Sequence, residues 1–463
     1  MSERAGDRDS GDTDCGDTDS VDIAVVGGGA CGLVAALRAA ANPSVQVAIF
    51  EKDTKHGGNT QISSGSLAAG GTRFQAAAGI ADSPDRHADD ILAVSKDMAA
   101  EALVRAVCAA APRYVEWLAD DLGYPLELGL DMPRAGQSVP RLHTDTGRQG
   151  GLRLVRFLRR AVEASPNIAF VDHAPGTGLR VNVEPASVRV TGILTRETEV
   201  GAREVVLATD GFGNSPGLLA EYCPDAAGSV YCGVSTSTGD GITWGLRAGA
   251  AVRNMGGYLG HGLVVVGHGT RLNPNLPFLG ALLVDASGRR FCDETAQGYS
   301  KLGQLLRALP GARAALIWDE HAMEVARHSE LMRESAAAGA CQRYGSVTEL
   351  AAGLKLPEDA LEETLGGFTA RSPLIRRPAG RLTAPLYGAW VTHGLLATQG
   401  GLVTDPNGSV LRADGSVIAG LSAGGGTACG ISGDSPDGYL SGNGLLSAMG
   451  LGWIIGERLA ASL

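Results

Sequence analysis

Apolar residues run unbroken through Ile23–Val26 and again, broken only by Gln46, through Val45–Phe50, with an Ala/Leu-rich stretch of helical spacing between them. Short unbroken runs suit strands covered on both faces, and the stretch between them suits a helix packed on those strands. Further along, the spacing of apolar positions predicts helices over 86–121 and Leu152–Ala164. Short strands are expected at Ile168–Val171, Leu179–Val183, Val188–Leu194 and Glu204–Ala208, then a helix at Ile242–Ala248. From about residue 252 strand-like runs mix with helical segments at Gly303–Leu309, Val347–Leu354 and Glu358–Ala370, and a Pro-rich exit spans Pro373–Pro385. A last helix starts near Gly442–Leu445. Strand–helix alternation interrupted by a mixed stretch predicts an α/β fold. A Rossmann-like domain would combine 21–251 with 385–463, and 252–384 would form an inserted α+β cap. Residues 1–20 alternate Asp with Ser, Thr and Gly and read as a disordered acidic tail.

Between the first strand and first helix the chain reads Gly27-Gly28-Gly29-Ala30-Cys31-Gly32, and Glu51 closes the second strand nineteen residues beyond Gly32. A lone GxGxxG is weak. Placed between strand and helix, with an acid about 20 residues on, it is the dinucleotide-binding fingerprint. Gly27 permits the tight turn. Gly29 lets backbone approach a pyrophosphate, whose charge suits the free N–H groups of a helix start. Glu51 suits a ribose diol.

Composition narrows the partners. A chain of 463 residues with 44% apolar content supports two or three compact units, and 67 glycines without a collagen-like period imply many tight turns. The net charge of −11 without a basic cluster argues against nucleic acid. Eight scattered cysteines contain no CxxC or CxxH spacing, so neither a disulfide scaffold nor a metal site is expected. Reduced thiols in the cytoplasm are the simpler reading. Residues 1–20 hold no apolar block for a signal peptide, and Leu445–Gly456 is too short to span a bilayer.

Four segments together resemble the fumarate reductase/succinate dehydrogenase flavoprotein family. They are the GGGACG turn with Glu51; Gly57-Gly58-Asn59-Thr60 with Ser63-Ser64-Gly65; VVLATDGFGN (205–214) with TGDG (238–241); and GGLVTD…GSVIAGLSAGG (400–425). The resemblance spans roughly 21–460. It implies FAD as the dinucleotide, a GR2-type flavoprotein fold, and a cap closing over the isoalloxazine ring. The candidate FAD contacts are then Gly27, Gly29, Ala30, Cys31, Gly32, Glu51 and Lys52 in the fingerprint. Gly58, Asn59, Thr60, Ser64 and Gly65 follow in the next loop, then Thr209, Gly211, Asp240 and Gly425. Asn443, Gly444 and Leu445 would direct the last helix's positive end at the flavin N1/C2 edge. The family's covalent members attach flavin through a His in a related loop; here the nearest is His56, before the glycines, so non-covalent FAD is expected. Where the family often has Gly-Ala-Gly-Glu, this chain reads Ala423-Gly424-Gly425-Gly426, which offers no carboxylate to the ribityl chain.

The charged groups of fumarate reduction are missing from the matching segments. The family's cap motif resembles GRRFxNE followed by an arginine proton donor; here Gly288–Glu294 is followed by Tyr299. Gln399 stands where a His precedes the C-terminal glycine pair, and Tyr439 where an arginine grips a carboxylate. The pattern is similar instead to the 3-ketosteroid Δ1-dehydrogenase branch, whose cap carries RRFxNEaxPY and whose C-terminal part carries Tyr-Pro-Gly-Pro-Gly. Tyr299 matches the first tyrosine with one extra residue before it; Tyr439 matches the second without the Pro-Gly-Pro-Gly.

Removing two hydrogens beside a ketone needs a base, a donor to the carbonyl oxygen and a hydride acceptor. The expectation is therefore a flavin-dependent desaturase acting on a ring ketone, a 4-oxocyclohexanecarboxylate-like acid or a 3-ketosteroid. Tyr299 would be the base, and Tyr439 with Gly442 would polarise the ketone. Arg141 and His143 are candidates for a substrate carboxylate, and His261 sits where the reductases carry a substrate His. The electron acceptor would be oxygen, a quinone or a carrier. The alternatives are reduction of an activated alkene, as in fumarate reductase, and a flavin-binding protein without catalysis.

Overall fold

The computed structural model describes residues 20–463 except 56, 97, 131–135, 148, 185–186, 296–297 and 369–380. Residues 1–19 of the expected tail, His56 and most of the Pro-rich exit therefore lie outside the described residues, while Ser20, expected in the tail, opens the first strand.

Ser20–Val26 pairs in parallel with Val47–Phe50 on one side, Ile23 opposite Val47, and with Glu199–Leu207 on the other, Ile23 opposite Glu204. Val47–Phe50 continues to Ile168–Val171, and Val417–Ala423 lies parallel to Glu199–Leu207 with Leu421 opposite Val205. The eight-stranded sheet is completed by Gly176–Glu184, Ser187–Thr195 and Ser409–Leu411. Ile23 to Val26 are all buried, as expected of a parallel strand covered on both faces. Three glycine turns, at Gly27–Gly29, Asp210–Gly211 and Gly424–Gly426, follow the C-terminal ends of three of these parallel strands. That edge is where ligands bind in such sheets.

One face of the sheet carries the first helix, Ala30–Ala39, and the last, Asn443–Ser462. They meet at glycines. A Cβ on Gly452 would lie 2.5 Å from the Cys31 carbonyl, and one on Gly456 would lie 2.5 Å from Arg38 Cβ. The helical pattern over 86–121 resolves into Pro84–Ser95 and Glu101–Glu116. The break follows from Lys96, which takes a left-handed φ of 53° and stops the first helix.

A second, six-stranded sheet, which we call the cap sheet, is built on Leu386–Thr398. That strand pairs with Arg313–Asp319, Tyr258–Val265, Gln342–Tyr344 and Val230–Tyr231, and Leu282–Val284 adds beyond Arg313–Asp319. In Arg313–Asp319, Ala314, Leu316 and Trp318 enter one core cluster while Ala315 and Ile317 enter another. The two faces of the cap sheet thus have separate cores. The return expected at residue 385 cuts through this sheet, because Leu386–Thr398 is its centre; the division by sheets falls after Thr398. Among the described residues no helix is long and apolar enough to cross a membrane.

Gly452→Val should force the two helices apart and cost roughly 1–3 kcal/mol, as overpacking does. Thermal melts by circular dichroism should show a drop of several degrees. Gly217→Ala, where an added Cβ meets open space, should leave the melt unchanged.

Candidate active site

A cavity of about 1360 Å³ opens between the glycine turns, the N-terminus of the last helix and the cap. At its first wall, Gly27 has φ 110° and no room for a Cβ beside the Ala208 carbonyl, so the turn presses onto the neighbouring strand. A Cβ on Gly29 would meet only Thr60 Oγ1, at 3.7 Å. Gly28 N–H donates to Glu51 Oε2 at 2.6 Å and Asp53 N–H to Glu51 Oε1 at 2.8 Å. The carboxylate is thereby fixed at the wall with lone pairs to spare. Lys52 Nζ lies 2.7 Å from Asp240 Oδ2 and donates to Thr238 Oγ1. Asn59 Nδ2 donates to Asp210 Oδ2 at 2.7 Å, and Val234 N–H donates to Asn59 Oδ1. Burial pushes the Asp210 carboxyl up, against the hydrogen bonds it accepts from Gly211, Ser237 and Asn59.

These residues suit FAD. The helices beginning at Ala30 and Asn443 both start on the cavity; Ala30 N–H donates to Thr60 Oγ1 at 3.2 Å and Asn443 N–H to the Leu440 carbonyl at 3.0 Å, and the positive ends of both helices suit anionic oxygens. Asn443 Oδ1 and Ser447 Oγ are buried there without a partner among the described residues, the condition expected of groups that await a ligand. Gly27, Gly29, Ala30, Cys31, Glu51 and Lys52 line the cavity, as do Gly58, Asn59, Thr60 and Ser64. Thr209, Asp240, Gly425, Asn443, Gly444 and Leu445 complete the wall. Three of the expected contacts have another role in the fold. Gly32, Gly65 and Gly211 are not on the wall; they serve packing, where a Cβ would collide with the Gly27 carbonyl, the Gly150 backbone and the Thr398 side chain respectively. Asp210, Ser63, Thr398 and Gln399 line the cavity and were not singled out as cofactor contacts from the sequence.

At the cap end, Tyr299 and Tyr439 lie side by side on the cavity wall, ring centroids 6.3 Å apart with the planes inclined at 67°. Tyr299 begins the helix Tyr299–Arg307, and Tyr439 precedes the last helix. Burial raises the Tyr439 phenol above its ordinary value, opposed by hydrogen bonds from the Gly444 backbone, the Tyr299 side chain and the Gly442 backbone. His261 packs on Tyr299 with centroids 5.6 Å apart. Its Nδ1 accepts the Leu263 N–H at 3.1 Å, so the neutral ring carries its hydrogen on Nε2, which is buried and without a partner among the described residues. Burial, aided by the Arg271 charge, holds this imidazole down at about 3. Lys301, on the Tyr299 helix, lies 2.7 Å from Asp437 Oδ2.

Arg141 and His143 do not reach the cavity, which corrects their expected substrate role. Arg141 is fully buried, with Nε 2.7 Å from Asp82 Oδ2, Nη2 2.9 Å from Asp82 Oδ1 and Nη1 on Asp90. His143 is also fully buried, with Nε2 2.9 Å from Thr72 Oγ1 and Nδ1 3.2 Å from the Leu67 carbonyl. Their neighbours Leu142 and Thr144 line the wall instead.

Sheet, glycine turns and paired helix starts define a dinucleotide-binding flavoprotein. A family model described as an FAD binding domain matches residues 22–444, and the chain belongs to that family of FAD-dependent oxidoreductases. It is 28% identical over 454 residues to an NADH:fumarate oxidoreductase of Klebsiella pneumoniae (strain 342), covering 95% of this chain and 48% of that protein. This chain therefore spans about half that relative's length. The open conformation of a flavocytochrome c3 fumarate reductase superposes with a TM-score of 0.80 at 25% identity, covering 96% of this chain and 78% of the other. A 3-ketosteroid delta1-dehydrogenase from Sterolibacterium denitrificans gives 0.78 at 20% identity, covering 96% and 100%, which shows a shared fold.

Arg141→Met should leave two buried carboxylates without their counter-charge and cost roughly 3–5 kcal/mol, read as a fall in Tm. An unchanged melt would return Arg141 to a surface or substrate role. The cluster also sets an acid response. Burial raises the Asp82 and Asp90 carboxyls, but hydrogen bonds from Arg141 and other neighbours outweigh it and hold both below the ordinary value. Burial holds His143 down at about 4 and His87 at about 3. Every folded value lies below its unfolded one, so the unfolded chain takes up more protons as pH falls. Stability is full above the ordinary histidine value. Melting temperature should fall as pH drops from neutral to about 4, and further as the carboxylates protonate; a flat profile would contradict the buried cluster.

Proposed function

We propose that the protein is an FAD-dependent dehydrogenase that introduces a C=C bond α,β to a ring ketone. The reading is carried by the adjacent phenols of Tyr299 and Tyr439 at the cap end of the cavity. The raised value of Tyr439 keeps its phenol protonated at neutral pH, so it donates a hydrogen bond to the ketone oxygen. Backbone N–H groups at Gly442 and Gly444 fix its oxygen and favour the developing enolate. Tyr299, as its phenolate, takes the α-proton and becomes the neutral phenol, the step for which a positioned base contributes about 10²–10⁴-fold. FAD, when bound, supplies the hydride acceptor for the β-carbon. Leu259, Phe278, Leu279 and Leu331 give this end apolar walls that suit a ring and exclude water. The substrate is a cyclic ketone of the 4-oxocyclohexanecarboxylate or 3-ketosteroid type, and oxygen, a quinone or a carrier reoxidises the flavin.

A second reading, reduction of an activated alkene, is favoured by the sequence likeness to the two fumarate reductases above. Dithionite-reduced protein mixed anaerobically with fumarate or with a cyclic enone separates the two. Reoxidation by fumarate alone would select the reductase.

Anaerobic bleaching of the flavin by cyclic ketones is the direct test. Tyr299→Phe should keep its yellow colour and lose turnover by about 10²–10⁴-fold; full activity in that variant would remove Tyr299 from the reaction. FAD is read as non-covalent, so acid precipitation should leave the flavin in the supernatant, and a yellow pellet would overturn that.

A further inference from the structure

Three basic side chains line the cavity: Lys52, Lys301 and Arg271. Lys52 is paired with Asp240 and Lys301 with Asp437. Arg271 has no ion pair or side-chain hydrogen bond among the described residues, although it is half-buried. The strand Tyr258–Val265 turns and comes back on itself: Val265 N–H donates to the Thr270 carbonyl at 2.8 Å, Leu272 N–H to the Leu263 carbonyl at 2.9 Å, and Arg271 bridges Val264. This hairpin delivers Arg271 and His261 to the same cavity. The Arg271 charge acts on both the His261 ring and the Cys232 thiol, which lines the cavity too.

We infer that the substrate carries a carboxylate and that Arg271, with the His261 Nε2–H beside it, receives that group at the cap end of the cavity. A guanidinium withdrawn from water needs a partner of opposite charge. Its planar fork matches two carboxylate oxygens. The unpartnered Nε2–H of His261 is an independent donor for the same anion, and its imidazole stays neutral. Glu330 and Glu334 also line the cavity, but both are exposed and neither pairs with Arg271. Pro274, Phe278 and Leu279, which follow Arg271 closely in sequence, add apolar lining to the cavity. His261 in turn packs on Tyr299, ring centroids 5.6 Å apart, so one donor of the anion site adjoins the first phenol. The inference rests on the ketone-desaturase reading of the site and narrows it to an alicyclic keto acid rather than a neutral steroid.

The test uses FAD-loaded enzyme with 4-oxocyclohexanecarboxylate, its methyl ester and cyclohexanecarboxylate. The wild type should prefer the keto acid to the ester by kcat/KM. Arg271→Gln should reduce that preference at least about tenfold and weaken cyclohexanecarboxylate binding, read from the flavin difference spectrum, by about 10–100-fold, the range for a charged hydrogen bond. Arg271→Lys should restore part of both. Melting temperature and flavin content of each variant identify any misfolded protein. An acid-to-ester ratio equal in wild type and Arg271→Gln, with ketones still turned over, would overturn the inference and leave the desaturase reading intact. No turnover of any ketone, with cyclohexanecarboxylate binding still dependent on Arg271, would sink the desaturase reading and keep the anion site.

Discussion

The contact between Gly452 of the last helix and the Cys31 carbonyl of the first decides where chemistry can occur in this molecule. Side chains larger than hydrogen would hold these helices apart. With glycine they lie close, and the N-termini of both, more than four hundred residues apart in sequence, open into one cavity. Each helix start carries positive partial charge. One sits at the fingerprint turn, suited to a pyrophosphate. The other sits beside Tyr439, suited to negative charge gathering on a reduced ring. The glycine turns after three parallel strands supply close backbone approach, but the helix pair sets the orientation of the field.

Inside that field, polar groups are mostly committed to one another. Glu51 accepts two backbone N–H groups, Lys52 holds Asp240 and Asn59 holds Asp210. Against this satisfied background the exceptions stand out: the buried Asn443 Oδ1 and Ser447 Oγ on the cofactor side, and on the cap side the buried His261 Nε2 with the half-buried Arg271 guanidinium. Leaving buried polar groups unpaired costs stability. These four groups therefore map where ligand atoms belong.

The parts of this arrangement that are local in sequence were readable there. Gly27 to Glu51 is a single strand–turn–helix–strand unit, so its spacing alone carried the fingerprint. Tyr299 and Tyr439 were found only through resemblance, since 139 intervening residues conceal that they meet. Arg141 and His143 looked like ligand groups in a polar loop because the residues that occupy them, Asp82, Asp90 and Thr72, come from far upstream. Arg271 drew no notice, because its importance lies in lacking a partner, which only folding reveals. Arg313–Asp319 was not read as a strand: its Ala-Ala-Leu-Ile-Trp core is buried on both faces and shows no period-two alternation. The same ambiguity hid the fact that Leu386–Thr398 centres the cap sheet.

The ion pair between Lys301 and Asp437 joins the cap to the segment before the last helix. Lys301 lies two residues after Tyr299, and Asp437 two residues before Tyr439. Whatever draws these opposite charges together also sets the gap between the phenols. Seating the cap and setting the separation of the two tyrosines are thus coupled through one bridge. Under the proposed reaction, a ligand too bulky for that bridge to form would hold the two hydroxyls apart, and the clasp would act as a size filter.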